Sequence, residues 1–173
     1  AKVTNAELAP RIIPDRVHPG PAGHLIMATA LLESWGAPSL VSDVEIDGAT
    51  GKLVNSANAA VSGLSSNGGL RWTQTDRALP MPVDLTDATM DLAVKSGDFL
   101  QKMDREMLKV SGLKAGHYAL RIDGSQVAVF TADQLGAGLN LAEWPTPMMR
   151  QASDVHALPL KRAGIHNTRW RTI

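Results

Sequence analysis

Between residues 39 and 131 apolar and polar residues alternate with a period of two, in short runs separated by turn residues, and this pattern limits the fold more than any other feature of the sequence. In Ser39–Asp47, Leu40, Ser42, Val44 and Ile46 share one face, while Val41, Asp43 and Glu45 take the other. Asp47-Gly48-Ala49-Thr50-Gly51 is a turn signal, and Lys52–Val61 continues in an extended pattern, which predicts a hairpin. Leu70, Trp72 and Gln74 then alternate with Arg71, Thr73 and Thr75. Met107–Ser111, His117–Ile122 and Gln126–Thr131 follow, the last two joined by Asp123-Gly124. In that hairpin Tyr118, Leu120 and Ile122 point one way, with Val127 and Val129 placed to pair with them. Residues 87–104 interrupt the strands with a helical pattern broken at Gly97. Six short strands of this kind predict a small antiparallel β-sandwich or a curled sheet.

The flanking residues read as helix. Arg11-Ile12-Ile13-Pro14 is a short apolar run, and the turn-prone Asp15-Arg16-Val17-His18-Pro19-Gly20-Pro21 follows it. Pro21 suits the first position of a helix, where its missing N–H is not needed. Leu25, Ala28, Leu32 and Trp35 recur at helical spacing until Gly36 and Pro38, so a helix is predicted over about 21–35. On the other side, Asp133–Leu135 forms one turn, and Thr146-Pro147 gives an N-cap followed by proline at N1. Met148, Ala152 and Val155 continue on one face, and Pro159 and Gly164 are expected to close that helix. The fold class is α+β, divided into residues 1–38, 39–131 and 132–173.

Composition removes several functions. With 44% hydrophobic and 20% charged residues, the 173-residue chain can bury a core and is not expected to be disordered. Lys plus Arg and Asp plus Glu both number 17, so neither a nucleic-acid footprint nor broad adhesion to anionic membranes is expected. No apolar run approaches the roughly 18 to 20 residues of a membrane span. The absence of cysteine removes disulfides, thiolate zinc sites and a cysteine nucleophile. The histidines at 18, 24, 117, 156 and 166 lack close metal-ligand spacing, and no metal or cofactor is expected. Asp47-Gly48-Ala49-Thr50-Gly51-Lys52 has the wrong spacing for a phosphate loop, and Leu53 stands where a magnesium-binding hydroxyl belongs. The first residues lack both a starting Met and a signal-peptide layout, and the strongest motif lies close to them. The chain reads as one whose front has been removed.

That motif is Asp15-Arg16-Val17-His18, a carboxylate three residues before an imidazole in a loop constrained by Pro and Gly. A carboxylate bonded to one ring N–H fixes the tautomer and stabilises the imidazolium, leaving the other nitrogen free to take a proton from a hydroxyl. The longer string Asp15-x-x-His18-Pro19-x-x-x-Gly23-His24, leading into an apolar helix, is far more specific than the pair alone.

Over residues 10–36 the string DRVHPGPAGHLIMATALLESWG resembles the last conserved block of the SGNH (GDSL-type) hydrolases, whose Asp-x-x-His supplies two members of a Ser-His-Asp triad. The remainder, including NLAEWPTPMMRQASDVHAL, resembles the C-terminal extension of bacterial proteins in one branch of that family. The resemblance implies that His18 is the general base and Asp15 its orienter, with His24 at a helix-start position. It also implies that residues 1–38 are the last piece of an SGNH-like α/β domain. The family's nucleophile block and its two oxyanion blocks lie far upstream of the Asp-x-x-His, and here only fourteen residues precede Asp15. Gly97-Asp98-Phe99-Leu100 imitates the nucleophile block, but Phe99 has no nucleophilic oxygen. No Gly-x-Ser-x-Gly elbow is present either, and Ser62, Ser65 and Ser66 lie in a loop-like stretch without that spacing.

The function this implies is hydrolysis of carboxylic esters, with acylated carbohydrates among the candidate substrates and a periplasmic or secreted location favoured. The nucleophile would come from a missing N-terminal segment, and the isolated chain is expected to be weak or inactive by the usual triad; a simply truncated chain would instead expose apolar surface to a homodimer partner. The alternative is a non-enzymatic β-sandwich that binds carbohydrate or protein, with Trp72, Trp144 and Trp170 as contact residues. The basic, aromatic tail around Arg169-Trp170-Arg171 and the seven Met residues fit packing better than recognition.

Overall fold

Strand β1 (Leu40–Asp47) is the spine of the structure, a computed structural model that describes residues 5–171. Ser42, Val44 and Ile46 are buried on one face of β1, as its alternation requires, and the strand is paired along both edges. One edge takes β2 (Lys52–Ala57) in an antiparallel hairpin closed by Asp47↔Lys52. The Asp47 carboxylate builds that turn by accepting the Ala49 and Thr50 N–H groups and the Thr50 hydroxyl, and Gly51 supplies a left-handed residue. The phosphate-loop look-alike is this turn.

The other edge of β1 departs from the antiparallel expectation. It takes β5 (Arg105–Ser111) in parallel, with Ser42↔Glu106, Val44↔Leu108 and Ile46↔Val110 in register. The reason is topological: between the two strands the chain passes through α2 (Ala88–Ser96) and α3 (Phe99–Met103), a crossover long enough to return it in the same direction. The helical segment breaks at Gly97 as expected, with Asp98 in a left-handed conformation.

Two ribbons cover the buried face of this sheet. The first pairs β3 (Ala59–Ser65) with β4 (Arg71–Asp76). Lys52–Val61 is therefore not one extended run: Asn58, at positive φ, separates β2 from β3 and donates its amide to the Val41 carbonyl. The second ribbon pairs β6 (His117–Ile122) with β7 (Ser125–Thr131) across Asp123-Gly124, both at positive φ as a type I′ turn requires. A register slip after Leu120 sets Tyr118 opposite Phe130 and Leu120 opposite Ala128, so Val127 and Val129 are not the facing pair and Val129 is exposed. The core is Val44, Ile46, Leu108, Val110, Phe130 and Leu141, with Trp72 and Trp144 packed against it. Trp144 meets Phe130 edge-on, with ring centroids 4.8 Å apart.

Helix α4 (Ala132–Ala137) and the short strand β8 (Leu139–Asn140) complete the sheet, in the order β2-β1-β5-β8. The fold is α+β, as expected, with small sheets in place of a sandwich. Helix α5 (Pro147–Arg171) is capped by Thr146, whose hydroxyl accepts the Met149 N–H. It runs through Pro159 and Gly164, both expected to end it. From Ser153 on the helix is exposed, so the one carbonyl that Pro159 leaves without a donor is open to solvent, and Gly164 keeps a helical conformation. Among the described residues no helix is long and apolar enough to cross a membrane.

A second core is helical. Val94, Phe99 and Met103 pack with Leu25 and Leu32 of α1 (Pro21–Ser34) and with Met81, Val83 and Leu85 of the preceding connection. The stripe of α1 that turns inward is Ala22, Leu25, Thr29 and Leu32, whereas Ala28 and Trp35, which recur at helical spacing with Leu25 and Leu32, face solvent. Leu25, Ile26, Met27, Leu31 and Leu32 surround this helix with apolar side chains, so spacing alone does not single out the inner face.

Candidate active site

The loop between the 3-10 turn at Ala9–Ile12 and α1 is organised by one carboxylate. Asp15 Oδ1 accepts the backbone N–H of Val17 at 2.9 Å and of His18 at 2.7 Å, an Asx-type turn that holds the chain in a tight curve. Arg16, inside the curve, takes a positive φ of 65° and donates its N–H to Ile13 O. Gly20 N–H returns to Ile12 O at 2.9 Å, so the loop closes on its own beginning before Pro21 opens the helix.

The second oxygen of Asp15 lies 2.6 Å from His18 Nδ1. An ionised carboxylate only accepts, so Nδ1 carries the proton and donates it, and the Nε2 lone pair is left free. Donors from His18's backbone and then its ring, followed by the Val17 N–H, hold the Asp15 carboxyl down at about 2, so it is ionised at neutral pH. The imidazole is 83% exposed, and among the described residues nothing hydrogen-bonds its Nε2. The arrangement is an imidazole held through Nδ1 by an ionised carboxylate, with its second nitrogen open to accept a proton.

The other residues singled out in the sequence lie elsewhere. His24 is exposed in the first turn of α1, with no side-chain bond to the pair. Phe99 of the look-alike Gly97-Asp98-Phe99-Leu100 is buried in the helical core. Ser62 and Ser65 belong to β3, which packs on β4, β2 and β1, and neither they nor Ser66 reaches His18 by a hydrogen bond. Of the tryptophans expected as contact residues, Trp72 and Trp144 are core-packed, Trp72 donating to Gln74, and only Trp170 is exposed. Trp35, which recurs at helical spacing in the sequence, is equally exposed. Among the described residues no group of three or more His, Asp or Glu is placed to hold a metal.

One polar cluster escaped the sequence reading. Asp104 and Glu106, both 1% exposed, stand at the head of β5 beside buried Ser42. Asp104 Oδ1 accepts the Met81 N–H, but Asp104 Oδ2, both Glu106 oxygens and Ser42 Oγ have no partner among the described residues. Burial, then the charges of Asp76 and Asp104, raises the Glu106 carboxyl to about 8, and burial raises that of Asp104 to about 6. Asn140 straps the position, accepting the Glu106 and Ala142 N–H groups and donating to Asp104 O. The available signal was a glutamate in phase with Leu108 and Val110, two positions before Leu108.

No family model matches the chain, and a search of curated proteins finds no match. Among solved structures the chain is similar to "BT4096 a gut microbial diltiazem-metabolizing enzyme", at 29% identity and a TM-score of 0.78. The match covers 85% of this chain and 35% of that one, so the chain spans about a third of the neighbour's length.

Proposed function

We propose that this chain carries the acid–base part of a serine ester hydrolase of the SGNH type, with His18 the general base and Asp15 its orienting carboxylate. The observation that carries this reading is the 2.6 Å bond between His18 Nδ1 and Asp15 Oδ2 in a loop that leaves Nε2 open. The structural neighbour is a diltiazem-metabolizing enzyme, and this supports a hydrolase-like role. The nucleophile and the oxyanion donors would lie in protein outside the matched third.

In the reaction, a serine hydroxyl gives its proton to Nε2 as its oxygen attacks the ester carbonyl. The ionised Asp15 steadies the resulting imidazolium through Nδ1–H, and Nε2–H then returns the proton to the departing alkoxide. Water repeats the two steps on the acyl-enzyme and releases the acid. The substrates are carboxylic esters with small acyl groups on alcohols or carbohydrates.

The test is hydrolysis of a short-chain aryl ester by the enzyme that carries this segment together with its serine. There His18→Ala is expected to lower kcat by about 10⁶-fold, as for the base histidine of a studied triad. Unchanged turnover in His18→Ala would overturn the reading. The 173-residue chain alone is expected to give no acyl-enzyme burst; a burst abolished by His18→Ala would place a replacement serine within it.

A further inference from the structure

The catalytic loop is shut against the first turn of α1 at one point, Gly23. A Cβ built there would lie 2.7 Å from Pro19 Cβ and 2.8 Å from Ile12 O. Neither atom can swing aside, because one belongs to a ring fused to the backbone and the other is a carbonyl already bonded to Gly20 N–H. Gly20, three residues earlier, differs: its Cβ would meet Arg11 O at 3.6 Å and Ile12 O at 3.8 Å, ordinary contacts. Its φ of −75° suits any residue. Glycine inside a helix costs stability relative to alanine, so propensity does not account for the residue at 23.

Pro19 follows His18 directly, and Ile12 ties down the returning end of the loop. The bonds that hold the pair, 2.7 Å from the His18 N–H and 2.6 Å from Nδ1, leave little slack for a shift of several tenths of an ångström. We propose that Gly23 is a positioning residue for the Asp15–His18 pair: its bare α-carbon lets Pro19 and Ile12 O close on the helix, and that closure fixes the imidazole against its carboxylate. The catalytic meaning rests on the ester-hydrolase reading, but the geometry is measured without turnover.

The experiment is NMR of the 173-residue chain, following the ring nitrogens of His18 and the carboxyl carbon of Asp15, with core amides of β1 and β5 reporting the fold. In the native chain His18 is the Nδ1–H tautomer and Asp15 titrates at about 2. In Gly23→Ala the Asp15 midpoint moves up from there toward 3.8, and the His18 signal moves to the position it takes in Asp15→Asn, while the core amides hold. Gly20→Ala leaves both signals in place. The proposal is overturned if Gly23→Ala keeps both native signals, or if Gly20→Ala loses them too. An unfolded Gly23→Ala chain also overturns it, since Gly23 would then serve the whole fold and not the pair. These outcomes are separate from the kinetic effect of His18→Ala, so the two readings fail independently.

Discussion

The loop at Asp15 and the seam at Glu106 treat the same chemical group in opposite ways. Asp15 is exposed and accepts three N–H groups, two from backbone and one from His18, so its charged form is favoured. Glu106 is buried, among the described residues neither of its oxygens is bonded, and the charges that act on it are acids, so its neutral form is favoured. Burial and donors together separate the two. Burial is the largest cause of the rise at Glu106, whereas Asp47 and Asp84, also in turns and not buried, are lowered by hydroxyl and backbone bonds as Asp15 is by backbone and ring bonds. A carboxylate that must hold an imidazole in place belongs in the first environment. One that takes up a proton near neutral pH belongs in the second.

The largest expected effect tests whether the first environment matters for chemistry. Asp15→Asn puts an amide beside Nδ1 and removes the charge that steadies the imidazolium. On the proposed ester-hydrolase reading, with this segment joined to the serine it needs, kcat on an aryl ester is expected to drop by about 10⁴-fold, as for the orienting aspartate of a studied triad. Asp104→Asn is expected to leave kcat unchanged, because Asp104 faces the sheet seam and not the loop. Equal losses in the two variants would break the contrast.

The second effect belongs to the seam and reads as stability against pH. Glu106 goes from 4.5 in the unfolded chain to about 8 in the fold, so the folded state holds a proton that the unfolded state has released. Its contribution is complete below pH 4.5 and is lost as pH rises through about 8. Urea unfolding is expected to show a fall on the order of 4 kcal/mol across that window. Asp104, raised from 3.8 to about 6, adds to the early part of the fall. Glu106→Gln, which cannot ionise, is expected to flatten most of the curve. A native profile that is already flat would mean that water or a cation reaches the carboxyl.

The same contrast explains what the sequence revealed. Asp15 and His18 are three residues apart, and the Asx turn that joins them is local, as are the turns at Asp47–Gly51 and Asp123-Gly124. Helix α1 was legible from Pro21 and its apolar run, but its inner face was not, because neighbours far along the chain choose among nearly equivalent sides. The parallel pairing of β1 with β5 depends on how 77–104 packs against α1, which no spacing encodes. The seam was hidden for that reason: Ser42 and Glu106 are adjacent only once that pairing forms. Local bonds make a site readable, and tertiary register makes one invisible.

The smallest expected effect takes the contrast down to single hydroxyls. Ser42 and Thr146 are both fully buried, and the two differ in what their oxygens bond. Thr146 Oγ1 accepts the Met149 N–H at the start of α5, so Thr146→Ala leaves a donor without its partner and is expected to destabilise by about 1 kcal/mol. Ser42 Oγ has no partner, so its removal takes away a desolvated group and leaves no new orphan. Ser42→Ala is therefore expected to be neutral or to stabilise by up to about 1 kcal/mol in urea unfolding at pH 5, where Glu106 still holds its proton. A loss in Ser42→Ala at pH 5 equal to that in Thr146→Ala would show that the seam is hydrogen-bonded, and its carboxyl would then have no reason to titrate near neutral pH.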